Sequence, residues 1–119
     1  METKNLAQTI AIAAKSKKAQ KVVILDMRNV ATFCDYFVIA SATSLRHVNA
    51  IASGIEEGLI KNKIKPLFKL PSNDASGWVA LDFVSVIAHI FYKPIREFYE
   101  LERLWSDAKR IRVTSKKLK

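Results

Sequence analysis

The sequence predicts one small α/β domain, a sandwich in which helices flank a mixed sheet. Short apolar runs rich in β-branched residues alternate with stretches that carry apolar residues at helical spacing. No internal repeat and no linker rich in Pro, Gly or Ser divides the 119 residues. The composition is 50% hydrophobic and 26% charged, which is typical of a globular chain that buries a single core.

The first half of the chain predicts the order helix, strand, strand, helix. Residues 3–18 carry apolar residues at helical spacing, and the run KVVILDM at 21–27 is typical of a buried strand. DYFVIAS at 35–41 predicts the second strand. Small hydroxyl residues then precede a helix with one apolar stripe. That stripe consists of Leu45, Val48, Ile51, Ala52, Ile55 and Leu59.

The second half predicts three strands and a final helix. KIKPLFKL at 63–70 contains Pro66, which cannot donate to a neighbouring strand, so we expect an edge strand there. The polar loop PSNDASG separates it from a strand pair, and Pro94 suits the first turn of the last helix. One side of that helix is predicted to carry Phe98, Leu101, Trp105 and Ala108. We therefore predict a domain at residues 1–108.

The strand pair has an unusual second face. If Val84 and Ser85 form the turn, one face is wholly apolar, because side chains alternate along a strand. The other face is then formed by Trp78, Ala80, Asp82, Ile87, His89 and Phe91. An amphipathic face with aromatic anchors predicts a protein-binding surface. The alternative is that a helix covers this face and Trp78 is ordinary core.

Two further residues are candidates for contacts with the partner. Arg46 and His47 lie at the start of the middle helix, where they can add polar contacts. The alternative is that they belong to a solvated helix face that binds nothing.

Charge is concentrated at the C-terminal end. The net charge is +9, and residues 109–119 hold six of the 20 cations and no acid. We expect this basic tail to make nonspecific, salt-sensitive contacts with RNA. The residues assigned to those contacts are Lys109, Arg110, Arg112, Lys116 and Lys117. The alternative is a frayed, solvated terminus.

Cysteine content and hydropathy predict a cytoplasmic protein. Cys34 is the single cysteine, which excludes disulfide frameworks and favours a buried residue in a reducing compartment. No window approaches the ~18 apolar residues of a membrane span. The first residues contain no arginine and no cleavage site typical of a signal or transit peptide.

The parts of an enzyme are scarce. The glycines are too dispersed for a phosphate loop, and His47 and His89 have no second ligand at a metal-binding spacing, so we expect no metal and no cofactor. His89 and Asp82 can form a base and its orienting group, but no serine or cysteine completes a triad. We therefore predict no catalytic residue.

One stretch is nevertheless enzyme-like. The segment at 41–44, between a strand and a helix, resembles the phosphate turn of nucleotidyltransferases, with Ser41, Thr43 and Ser44 as hydroxyl donors. The strands offer no carboxylate pair for a divalent metal. Helix capping is therefore preferred over a divergent nucleotidyltransferase-like enzyme, which stays as the alternative.

Four motifs in order resemble the ribosomal silencing factor family, also called Iojap-like. They are DYFVI, the helix start SLRHV, WVALD, and REFYELERLW, and the similarity spans residues 4–108. The resemblance implies a nucleotidyltransferase-like fold without catalytic carboxylates. It also implies binding to the large ribosomal subunit through ribosomal protein L-fourteen, which sterically blocks joining of the small subunit and represses translation.

The resemblance leaves two points open, and the chain departs from the family pattern at two places, the loop PSNDAS before Trp78 and the turn at Val84 and Ser85. Organelle members act in large-subunit assembly, which is the alternative function, and members often pair, so a homodimer is left open. The family usually carries Gly-Asp where this chain has Val84 and Ser85, which puts the turn and the strand register in doubt.

Overall fold

The computed structural model describes residues 2–70, 77–99, 103 and 106–113, with the backbone alone at 68, 70 and 97–99. It confirms the α/β class. A mixed sheet of six strands carries helices on its faces. The elements are α1 (Thr3–Ser16), β1 (Gln20–Asp26), β2 (Tyr36–Ala42), α2 (Leu45–Ile60), β3 (Phe68–Leu70), β4 (Trp78–Asp82), β5 (Val86–Tyr92), α3 (Lys93–Tyr99) and β6 (Lys109–Ile111).

The sheet is built around a central parallel pair. Its strand order is β3-β4-β5-β2-β1-β6, in which β2 and β5 are parallel and the other neighbours are antiparallel. Every residue of β2 is buried, because both sides of this strand are covered. The apolar runs that predicted buried strands are therefore the centre of the molecule.

Helices α1 and α2 cover one face of the sheet. From α1, Ile10 and Ala14 pack into the core, and from α2 the predicted stripe does so, with Leu45 alone exposed, at 38%. The same core takes Val79, Leu81 and Ile90 from β4 and β5. This is the wholly apolar face that strand alternation predicted.

The opposite face is covered only in part. The chain after β1 brings Met27 and Cys34 against it, α3 contributes Ile95, and Ala108 packs there as well. These groups cover Leu25 on β1 and the neighbouring residues of β2. The outer strand β4 keeps half-buried side chains on this side, so part of the face remains open.

The predicted boundary between domain and tail at residue 108 is wrong. Lys109–Ile111 form β6, which pairs antiparallel with β1. The backbone oxygen of Arg112 accepts a hydrogen bond from Gln8 Nε2 at 2.8 Å, and Val113 packs on the core. The basic composition of this segment predicted a tail, but its apolar residues Ile111 and Val113 pack against the core and join the segment to the domain.

Two other elements are shorter than predicted or only partly described. The edge strand β3 begins at Phe68, after Pro66, in agreement with the missing donor of proline. Helix α3 is described as Lys93–Tyr99, and Leu101, Trp105 and most of the PSNDASG loop lie outside the described residues. No helix in the described part of the chain is long and apolar enough to cross a membrane.

Candidate interaction surface

The β4–β5 hairpin has the register that the sequence predicted. Val79 pairs with Ile90, Leu81 with Ala88, and Phe83 N–H donates to the oxygen of Val86 at 2.9 Å. The second face therefore exists as proposed. Its rows are Trp78 opposite Phe91, Ala80 opposite His89, and Asp82 opposite Ile87.

The turn that sets this register is closed without a glycine. Val84 adopts φ 76°, and the N–H of Ser85 donates to the oxygen of Phe83 at 3.0 Å. The left-handed region is unfavourable for a β-branched residue. Asp82 offsets this strain, because its Oδ1 accepts from the N–H of Val84 at 2.7 Å. The carboxylate expected at the rim of the interface therefore also holds the turn.

Trp78 lies on a support of two aromatic rings. Its ring stacks on Phe91 with centroids 5.4 Å apart, and its Nε1–H donates to His89 Nδ1 at 3.2 Å. Gly77, with φ 81°, precedes it, and a Cβ there would lie 2.9 Å from Ile95 Cγ1. These contacts fix the half-buried indole on the sheet rather than leaving it free to rotate.

His89 is a buried, neutral histidine. It is 8% exposed, and desolvation lowers its pKa to about 4. Because an indole N–H only donates, Nδ1 is the acceptor and the single proton of the ring sits on Nε2. Nε2 is buried and has no hydrogen-bond partner among the described residues. Asp82 therefore does not orient this ring, and the proposed base with its carboxylate is not assembled.

Burial divides the predicted face into two layers. Phe91 is 1% exposed, so Phe91 and His89 are not in a position to touch a partner directly, contrary to the expectation for these two residues. Their burial follows from the indole above them and from the adjoining Phe37 ring, whose centroid lies 4.7 Å from that of His89. The accessible layer, here called the Trp78 surface, comprises the half-buried Trp78, Ala80, Asp82 and Ile87.

An apolar rim beside Asp82 was missed by sequence reasoning. Leu67 and Val84 are 63% and 60% exposed, and their N–H groups bond to the oxygen and Oδ1 of Asp82. Phe33 is 56% exposed and lies near Asp35, whose N–H donates to the oxygen of Ser85 at 2.7 Å. Periodicity along the chain does not predict apolar residues that are exposed on turns, so these three were not predicted.

The two candidates at the start of α2 differ in their surroundings. Arg46 is exposed, as predicted. The half-buried ring of His47 makes two contacts within the protein. Its Nδ1 accepts from the N–H of Thr43 at 2.9 Å, and its Nε2 lies 2.7 Å from the oxygen of Lys17. The tautomer with its proton on Nε2 satisfies both contacts, and His47 thereby ties the end of α1 to the start of α2.

The hydroxyl groups of the enzyme-like turn are occupied. Ser44 caps α2 by accepting from His47 N–H at 3.0 Å, which confirms the capping interpretation for this residue. Ser41 is buried and accepts from Arg96 Nη1 at 2.7 Å, and Thr43 Oγ1 lies 3.2 Å from His47 Nδ1. The arrangement offers structural contacts rather than a phosphate cradle.

The acidic and nucleophilic groups also have structural roles. Asp26 accepts two hydrogen bonds from the Arg28 guanidinium, at 2.9 and 2.7 Å, and these hold the pKa of its carboxyl below the usual range. Burial raises the pKa of the Cys34 thiol to about 11, so the group is a thiol and not a thiolate at neutral pH. No group of three potential metal ligands occurs among the described residues.

The cations assigned to RNA contact fall into two groups. Lys109 and Arg110 are exposed on the edge strand β6, and Arg112 is exposed directly after it. Lys116 and Lys117 lie outside the described residues. The first group therefore presents its charge from the sheet itself rather than from a separate tail.

Comparison with known proteins decides the family. The family model described as "Ribosomal silencing factor during starvation" matches residues 1–119. The chain belongs to the ribosomal silencing factor family. It is 35% identical over 108 residues to the ribosomal silencing factor RsfS of Bacillus subtilis, with 91% of each chain covered.

Two further relatives extend this likeness. The chain is 32% identical over 94 residues to the Mus musculus protein named mitochondrial assembly of ribosomal large subunit protein 1, covering 77% of this chain and 41% of that one. A solved structure of a Bacillus halodurans protein matches with a TM-score of 0.79 at 29% identity, covering 92% and 98% of the two chains. The ribosomal silencing factor resemblance carried by the four motifs is thus confirmed.

Proposed function

We propose that this ribosomal silencing factor is a cytoplasmic translational repressor without enzymatic activity. It binds the large ribosomal subunit through ribosomal protein L-fourteen and sterically blocks joining of the small subunit. The family membership supports a regulatory role on the ribosome. The occupied hydroxyls of Ser41, Thr43 and Ser44 count against the nucleotidyltransferase alternative.

The observation that carries the proposal is the fixed position of Trp78. A half-buried indole that stacks on Phe91 and donates to His89 loses little conformational entropy on binding. Such preorganised aromatic side chains are typical centres of protein interfaces. Ala80 and Ile87 provide a flat apolar surround, and Asp82 places an acidic group at the rim, which suits a partner rich in cations.

A second function, in assembly of the large subunit, is supported by the name of the Mus musculus relative. Both functions need the same contact with the large subunit, and they differ in which subunits are bound. A repressor binds mature large subunits, whereas an assembly factor also binds incomplete precursors. Sedimentation of the protein with purified mature subunits and with precursor particles separates them.

The binding surface is tested by the substitution Ala80→Arg. This change places a long charged side chain in the middle of the Trp78 surface and leaves the Trp78, His89 and Phe91 contacts in place. We expect the wild-type protein to sediment with large and not small subunits at low magnesium, and we expect the variant to stay at the top of the gradient. The companion Trp78→Ala should cost about 2 kcal/mol or more of binding.

The matched control is Ile60→Ala, which truncates an apolar side chain that is 54% exposed on α2, across the sheet. It should bind large subunits like wild type. The acidic rim is tested by Asp82→Asn rather than by a reversal of the Asp82 charge. The amide oxygen of Asn keeps the hydrogen bond to the N–H of Val84, so the turn stays in place. Unchanged binding of Ala80→Arg with a native thermal melt would contradict the proposal. If Ala80→Arg changes the elution volume of the free protein in size-exclusion chromatography, the Trp78 surface would instead be assigned to a homodimer.

A further inference from the structure

One end of the sheet carries a group of exposed cations. At the end where β2 finishes and α2 begins, four exposed cations gather, here called the cationic end: Lys17, Lys18, Lys21 and Arg46. The strand aspartates lie at the opposite end, with Asp26 opposite Tyr36 and Asp82 opposite Ile87. Arg28 pairs with Asp26 and Lys109 lies opposite it, so cations at that end stand beside a carboxylate, whereas no ion pair forms at the cationic end among the described residues.

Hydrogen bonds bring the elements of the cationic end together. His47, next to Arg46, contacts the oxygen of Lys17 at 2.7 Å. Arg96 Nη1 donates both to the oxygen of Lys21 and to Ser41 Oγ, each at 2.7 Å. The end of α1, the start of β1 and the first turn of α2 are thus joined through fixed contacts, which place the segments that carry these cations next to one another.

No carboxylate neutralises this group within the described residues. The ion pairs there are Arg28 with Asp26 and Lys69 with Glu56, and neither involves the cationic end. The first turn of α2 carries no acidic residue, and its positive helix terminus adds to the field. Clustered like charges without counter-charges destabilise the folded state, and a bound polyanion removes that cost.

The cationic end lies beside the Trp78 surface. Across the sheet, Trp78 opposes Phe91, Phe91 opposes Ser41, and Ser41 opposes Gln20, which precedes Lys21. Three strand spacings separate the indole from the start of β1, or about 15 Å. The cationic end and Trp78 thus lie at the same end of the sheet, where an assembly that extends past the Trp78 surface would meet these cations.

We propose that the cationic end is a second binding site, which takes the phosphate backbone of structured RNA next to the protein partner. The choice of RNA rests on the proposed ribosomal function. Three of the four side chains are lysines, which act as point charges toward phosphates, and phosphate contacts carry no sequence information. Binding at this site is therefore independent of sequence and weakens as salt rises.

The test measures binding of the full-length protein to a fluorescein-labelled RNA hairpin by anisotropy over a series of salt concentrations. The test variant combines Lys18→Gln, Lys21→Gln and Arg46→Gln. The matched control combines Lys61→Gln, Lys63→Gln and Lys65→Gln, which removes three exposed cations at the far end of α2, about 24 Å away. The test set includes Lys18 and Lys21 at positive φ and the control set includes Lys63, so each set contains such a backbone position.

We expect the test variant to lose at least about tenfold in affinity at low salt, and its slope of log affinity against log salt should fall by about 2–3. The control should change the slope by less than about 1. Equal losses in the two variants would overturn the proposal, because net charge alone would then explain binding. Stronger binding to anionic vesicles than to the hairpin, lost in the test variant, would also overturn it.

A further variant separates this site from the proposed function. Ala80→Arg should bind the hairpin like wild type while it fails to bind large subunits. If Ala80→Arg binds large subunits normally and the triple cationic variant still loses RNA affinity, the proposed function fails and the RNA site stands. If the hairpin affinity of the triple variant is unchanged, the RNA site fails whatever the large-subunit result.

Discussion

At the scale of single residues, the Trp78 surface depends on side chains that hold their exposed neighbours in position. His89 and Phe91 hold the indole of Trp78, and the carboxylate of Asp82 holds the turn at Val84. A substitution at any of these supports changes the position of an exposed neighbour. Binding and stability therefore have to be measured together for each variant.

His89 predicts a specific pH dependence of stability. Its pKa is about 4 in the folded state and about 6.5 in an unfolded chain, so between these values the unfolded state binds more protons. The contribution of neutral His89 to the free energy of unfolding should therefore be fully present above pH 6.5. The free energy of unfolding should fall by up to about 3 kcal/mol as the pH drops toward 4. Denaturant titrations at pH 7.5, 5.5 and 4.5 measure this.

The control for that prediction is His89→Gln, which cannot titrate but keeps an acceptor for the indole N–H. Its stability should vary much less across the same pH window. Asp26 acts in a separate window, because its lowered pKa makes its contribution disappear only below its usual value of 3.8. An identical slope in wild type and His89→Gln would show that His89 is not the group responsible.

Val84→Gly should stabilise the protein. The backbone at this residue has φ 76°, where a β-branched side chain is strained and glycine is not. We expect a gain of about 1 kcal/mol in the free energy of unfolding, less than the full left-handed penalty because glycine has more entropy to lose. Ser85→Gly, which relieves no positive φ, is the control, and a loss of stability in Val84→Gly would contradict the strain argument.

At the scale of elements, β6 makes the first part of the basic C-terminal segment a strand of the domain. Truncation after residue 108 removes this strand, the packing of Ile111 and Val113, and the acceptor of Gln8. We expect a loss of about 2 kcal/mol or more in the free energy of unfolding, measured by chemical denaturation.

Truncation after residue 113 is the matched comparison. It removes three lysines but keeps β6, so the melt should stay near that of wild type while RNA affinity falls modestly and its salt dependence flattens. Equal destabilisation by both truncations would mean that β6 contributes nothing to the stability of the domain. The two truncations together separate the contribution of β6 to stability from the contribution of the terminal lysines to RNA binding.

At the scale of the whole molecule, the two cores share the same strands. β2 and β5 contribute Val38 and Ile90 to the core under α1 and α2, and Ile39 and Phe91 to the opposite core. Neither core can form without these strands. We therefore expect one cooperative transition, in which tryptophan fluorescence and far-UV circular dichroism give the same denaturant midpoint. Separate midpoints would show that the two faces unfold independently.

The class of fold, most of the element order and the register of the β4–β5 hairpin were all predicted from the sequence. These features follow from the periodicity of apolar residues, which is a local property of the chain. The register was predicted with Val84 and Ser85 as the turn, although neither residue is glycine. A slip of one residue would have moved the apolar residues of one strand from the core to solvent. The four motifs also identified the family.

Which side chains of the predicted face are accessible depends on contacts that form when the chain folds. His89 and Phe91 are buried because Trp78 folds over them, and no pattern along one strand records such a contact. The exposure of Phe33, Leu67 and Val84, the pairing of β6 with β1 and the grouping of the cationic end likewise depend on residues far apart in sequence. Short-range periodicity cannot encode these contacts, because each one forms only when separate elements meet.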